Sequence, residues 1–130
     1  MRLEAQKKLG FYAAAPEAVA LAASKLKPPA KKATFALLDP CAGEGAALRQ
    51  LTDKLGGVPM AIELDEGRAA KVKEAIADGK VLAPASFFGC AATFGAFSFI
   101  WLNPPFDHAY GGGRVETEFL NRAISWLKPG

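Results

Sequence analysis

Three short stretches of this 130-residue chain carry residue types that could do chemistry together. The first, Asp39-Pro40-Cys41-Ala42-Gly43-Glu44-Gly45, combines glycines with two carboxylates. Glycines let the backbone approach a ligand closely, and a helix starting behind such a turn aims its free N–H groups at it. The second is Glu63, eighteen residues beyond Gly45. At the end of a strand its carboxylate can accept hydrogen bonds from both hydroxyls of a ribose. The third is Asn103-Pro104-Pro105-Phe106. The Asn103 amide oxygen and the Pro104 carbonyl can both accept from an exocyclic amino group. The prolines fix the chain and Phe106 offers a face to a planar base.

Charge narrows the ligand. Two carboxylates, Asp39 and Glu44, would repel a pyrophosphate but attract a sulfonium or an amino-acid ammonium. The full G-x-G-x-x-G of a dinucleotide site is also absent. S-adenosylmethionine therefore fits better than NAD. Each stretch has a plainer alternative: Asp39 capping its own loop, or Asn103-Pro104 merely ending a strand. The linked carboxylate at Glu63 and the aromatic directly after the turn favour the functional reading. Asp107 and His108 follow the turn, where a lone histidine is more often a surface residue than a base. Arg114, after Tyr110-Gly111-Gly112-Gly113, is placed either to meet a phosphate or to close a simple connector.

These residues need a frame that brings them to one edge. Pro16 starts a helix whose apolar positions are Val19, Ala22, Ala23 and Leu26, and Pro28-Pro29 stops it. Phe35 to Leu38 reads as a strand buried on both faces. Leu48, Leu51 and Leu55 mark a helix ended by Gly56-Gly57. Val58 to Leu64 is a second strand, and Asp65 caps a helix that points Ala69, Val72 and Ile76 inward. A short strand begins at Val81-Leu82 and a fourth covers Phe97 to Leu102. A last helix carries Phe119, Leu120, Ala123, Ile124 and Leu127. Strands alternating with helices imply an α/β fold with a parallel sheet and helices on both faces. Asp39, Glu63 and Asn103 then all fall at carboxyl ends of strands, where such sheets bind ligands.

Composition sets outer bounds. One domain over residues 1–130 suits the length, and 51% hydrophobic with 22% charged residues describes a chain that folds. The net charge of +3 tolerates a polyanionic partner. Lys25, Lys27, Lys31 and Lys32 read as a solvated loop. Cys41 and Cys90, with one histidine, cannot build a disulfide framework or a four-ligand zinc site from Cys and His alone, so no metal is expected and a reducing, cytoplasmic location fits. Pro16 and Glu17 interrupt the apolar stretch behind Lys7 and Lys8, and residues 87–102 are too short and too broken to span a bilayer. No membrane association is expected.

The glycine loop, Ile62-Glu63-Leu64-Asp65 and Asn-Pro-Pro-Phe, in this order and spacing, resemble the class I S-adenosylmethionine-dependent methyltransferases of the N6-adenine, amino-methylating type. The resemblance runs from about Phe11 to the end. It implies a Rossmann-like, three-layer α/β fold with a parallel sheet. Phe11-Tyr12 with Pro16 is similar to the family's upstream cofactor segment, which makes Tyr12 a cofactor contact. The resemblance assigns Asp39, Gly43 and Gly45 to the methionine side of S-adenosylmethionine, Glu63 to its ribose and Phe87 to its adenine, and counts Cys41 and Ser86 among the cofactor-binding residues. Asn103, Pro104 and Phe106 would hold the target amine. Where such enzymes often have Asp in an Asp-Phe-Phe-like string, this chain has Ser86-Phe87-Phe88, which keeps a hydrogen-bonding group but no charge.

The implied activity is methyl transfer to an exocyclic amine of a nucleic acid, with adenine N6 in DNA as the first expectation. Guanine N2 in rRNA and a protein glutamine present similar planar amines. A cofactor-binding module that is inactive alone is the reading from another class. Trp126-Leu127-Lys128-Pro129-Gly130 resembles the turn before the family's fifth strand, so the fold is expected to stop before that strand. Phe97, Phe99 and Trp101 are expected on one face of the fourth strand and Ser98, Ile100 and Leu102 on the other. A second copy, or a rearranged segment of this chain, is then expected to cover the strand's outer edge.

Overall fold

The computed structural model describes residues 13–30, 34–104 and 115–129. Helix α1 spans Pro16–Ser24, strand β1 Ala36–Asp39, helix α2 Ala46–Leu55, strand β2 Val58–Ile62 and helix α3 Glu66–Ala75. Strand β3 follows at Lys80–Leu82, a 3-10 turn at Phe87–Gly89, strand β4 at Phe99–Ile100 and helix α4 at Val115–Trp126. The four strands form one sheet in the order β3-β2-β1-β4, and every pairing is parallel. Leu37 pairs with both Pro59 and Phe99, which fixes β1 as a central strand.

Alternation along the strands builds two cores. Leu37 and Ala61 point to one side, where Val19 and Ala23 of α1, Leu48 and Leu51 of α2, and Val72 of α3 are buried. Leu38 and Ile62 point to the other, against Phe119, Ala123 and Trp126 of α4. The sheet is therefore the middle of three layers, as expected for this α/β class. Asp65 caps α3 by accepting the Arg68 N–H at 3.0 Å. Gly45 stands at the start of α2 with φ near +90°, and a Cβ there would lie 3.1 Å from the Ala75 Cβ. Only glycine meets both conditions, a left-handed backbone and a close approach to α3.

Two expectations change. The chain bends at Ser98, so alternation breaks there. Phe97 enters the α4 core while Phe99 and Trp101 pack on the α1 and α2 side. Phe97 also pairs in parallel with Leu127: its N–H donates to the Trp126 carbonyl at 3.0 Å and its carbonyl accepts the Lys128 N–H at 2.7 Å. One end of the outer edge of β4 is thus taken by residues of the same chain. Helix α4 buries Phe119, Ala123 and Trp126, leaving Leu120 at 50% and Ile124 at 60% exposure. Its inward stripe lies about 100° round the helix from the leucine and isoleucine positions, because Trp126 packs on Phe87 and Phe97.

Candidate active site

Parallel strands put all their carboxyl ends on one edge, and the loops there interlock. The Ala42 N–H donates to the Ile62 carbonyl at 2.9 Å, which ties the glycine loop to the end of β2. The Gly43 N–H donates to Glu63 Oε1 at 2.7 Å. Glu63 also binds the next loop along, since its carbonyl accepts the Ala85 N–H at 2.8 Å. Beyond β4, Cys41 Sγ donates to the Asn103 carbonyl at 3.2 Å, across 62 residues of sequence. Asp39, Cys41, Glu63 and Asn103 are thereby gathered at one edge of the sheet.

Asp39 and Asn103 line the same pocket, about 140 Å³ in volume, with Cys41, Glu44, Ala47 and Trp101. This is smaller than the ~300–1,000 Å³ of a whole small-molecule site, so it suits one end of a ligand. Asp39 is 2% exposed and accepts the Cys41 N–H at 3.1 Å. Burial pushes its carboxyl up to about 7; the Cys41 N–H pulls the other way and the charge of Glu63 adds to the rise. A buried acid of this kind favours a cationic ligand group, which would lower the cost of its ionised form. The Cys41 thiol is pushed far above its ordinary range by burial and by the charge of Asp39, so it is a protonated donor. Glu44 is half exposed and sits 3.2 Å from Lys71 Nζ, a surface pair of little energetic weight.

Glu63 is 3% exposed, and its own chain already supplies several donors. Oε1 accepts from Gly43; Oε2 accepts the Asp65 N–H at 2.7 Å and Arg68 Nη2 at 3.1 Å. The carboxylate is the bolt between the glycine loop and α3. A carboxylate has about four acceptor positions, so capacity remains for a ligand hydroxyl. Ser86 Oγ accepts the Phe88 N–H at 3.2 Å, and its hydroxyl proton is still available to donate. Phe87 is 2% exposed, with its ring stacked on Phe119 at 5.2 Å and edge-on to Trp126 at 4.8 Å. The ring belongs to the core, and the Phe87 carbonyl accepts Arg122 Nε at 3.2 Å.

Pro104 is buried beside Asn103. Tyr12 and Phe106 lie outside the described residues, as do Asp107, His108 and Arg114. Sequence reasoning missed Arg68, the ion-pair partner of Glu63, and Trp101, which walls the pocket. Arg68 had a local signal, since it lies five residues past Glu63 in the first turn of a capped helix. Trp101 read only as part of a strand. Among the described residues no group of three or more His, Cys, Asp or Glu could hold a metal ion. No helix among them is long and apolar enough to cross a membrane.

A family model matches residues 1–128. The chain belongs to the uncharacterised methyltransferase family DUF6094. No curated protein matches the sequence. Solved structures show the same fold at low identity. TYW2 of P. horikoshii, crystallised in complex with MeSAdo, superposes with a TM-score of 0.66 and 16% identity, covering 92% of this chain and 42% of that one. YJHP from E. coli gives 0.62 and 18%, covering 100% and 51%. The [4+2]-cyclase SpnF gives 0.63 and 14%, covering 88% and 42%. The DUF6094 chain thus has the Rossmann-like class I methyltransferase fold and spans about two fifths to one half of these relatives. A cyclase among them shows that the fold alone does not choose the reaction.

Proposed function

We propose that this DUF6094 domain transfers a methyl group from S-adenosylmethionine to an exocyclic amino group of a nucleic acid base, adenine N6 in DNA first. The observation that carries the reading is that Asp39 and Asn103 line one pocket, with their loops bonded through Cys41. The residues fit the cofactor: a buried carboxylate for its cationic end, and Glu63 with Ser86 for its nucleoside. Bound there, S-adenosylmethionine would supply a methyl group activated by a sulfonium, with the S–C bond breaking as the N–C bond forms, S-adenosylhomocysteine leaving and the amine's surplus proton passing to solvent.

The chain's own contribution is orientation, which can account for a large share of the barrier when two reactants meet in line. Asp39 holds the cationic end of the donor. The Asn103 side chain and the Pro104 carbonyl accept the two hydrogens of the target amine. Those bonds draw electron density onto the nitrogen as it leaves conjugation with its ring, an electrostatic stabilisation set in place before reaction. No protein nucleophile is required, and the protonated Cys41 thiol is not one.

Tritiated S-adenosylmethionine, offered with adenine-containing DNA, ribosomal RNA and a glutamine peptide, tests the reading. Label is expected in DNA. Asn103→Ala is expected to reduce transfer at least a hundredfold while calorimetry shows cofactor binding within threefold of the parent. Equal loss of cofactor binding would make the turn a structural feature and overturn the assignment. Label in RNA or peptide alone would move the substrate class.

A further inference from the structure

Cys41 touches both halves of the cleft. Its main-chain N–H donates to Asp39 Oδ1 at 3.1 Å, and its thiol donates to the Asn103 carbonyl at 3.2 Å. The first bond belongs to the loop after β1, the second to the loop after β4, and the strands between them pair directly. Asn103 is followed by Pro104, which has no N–H to donate, so the turn cannot be tied through that residue's nitrogen. A displacement of about 1 Å between reacting groups is enough to cost two orders of magnitude in rate.

We propose that Cys41 is a positioning residue that locks the amine-holding turn at Asn103 to the donor loop at Asp39. The proposal rests on the reading of Asn103 as the amine-holding residue. A thiol suits the task for two reasons. Its weak polarity lets it sit partly buried among apolar neighbours. The same burial keeps it protonated, so it donates steadily and does not compete for an electrophilic methyl group as a thiolate would.

Two variants separate positioning from packing: Cys41→Ser keeps a donor, while Cys41→Ala removes it. With tritiated S-adenosylmethionine and the substrate that accepts label, Cys41→Ala is expected to lower kcat about tenfold, the loss of one positioning hydrogen bond. Cys41→Ser is expected to recover most of that loss. The dissociation constant for S-adenosylhomocysteine, measured by calorimetry, is expected to change by a smaller factor than kcat in both variants. Amide exchange at Leu102 and Asn103 in the unliganded protein is expected to speed up several-fold in Cys41→Ala and not in Cys41→Ser. Equal exchange and equal kcat in the parent and Cys41→Ala would overturn the proposal, as would a serine variant no better than alanine. If the parent methylates none of the substrates, the functional reading fails, and the exchange comparison still decides whether the thiol holds the turn.

Discussion

Lowering the pH from 8 to 6 is expected to weaken binding of S-adenosylmethionine about tenfold through one buried carboxyl. Asp39 rises from 3.8 to about 7 on folding, chiefly because burial removes its water. A group that holds its proton more tightly when folded makes the folded state lose stability as pH climbs between those two values. At about 1.36 kcal/mol per pH unit, the ionised form costs at most about 4 kcal/mol above pH 7. A cationic ligand offsets that cost, so binding selects the ionised form. About nine tenths of Asp39 is ionised at pH 8, half at pH 7 and one tenth at pH 6, which sets the tenfold change. At pH 7 about half a proton should leave per ligand bound, measurable by calorimetry in buffers of different ionisation enthalpy. Asp39→Asn should flatten the profile and raise the thermal stability of the unliganded protein above pH 7. His108→Gln, which removes the chain's single histidine, is the control. A pH slope that survives in Asp39→Asn, or affinity that rises as pH falls, would refute the reasoning.

Glu63→Ala should lower stability by about 3 kcal/mol or more, because it leaves the Arg68 guanidinium buried without its carboxylate and the Gly43 N–H without an acceptor. Thermal unfolding checks this; an alanine variant as stable as the parent would contradict the bolt role.

The elements and their order were legible in the sequence because each is written locally. Leucines at 48, 51 and 55 sit on one side of a helix wherever that helix packs, and glycines, prolines and Asp65 mark ends through their own backbone preferences. The edge on which Asp39, Glu63 and Asn103 meet followed from strand direction alone, since parallel strands share one carboxyl end. Side-chain facing near irregular backbone was not legible. A single bend at Ser98 sends Phe97 to the opposite layer from Phe99, and alternation cannot anticipate a bend. Helix α4 offered two candidate apolar stripes, and the one through Trp126 was chosen by the aromatic cluster at Phe87, 39 residues earlier. The site's fine structure belongs to the tertiary level for the same reason. The donors on Glu63 and the thiol bond from Cys41 to Asn103 join residues that only the sheet brings together, and no local pattern encodes which of them will already be occupied.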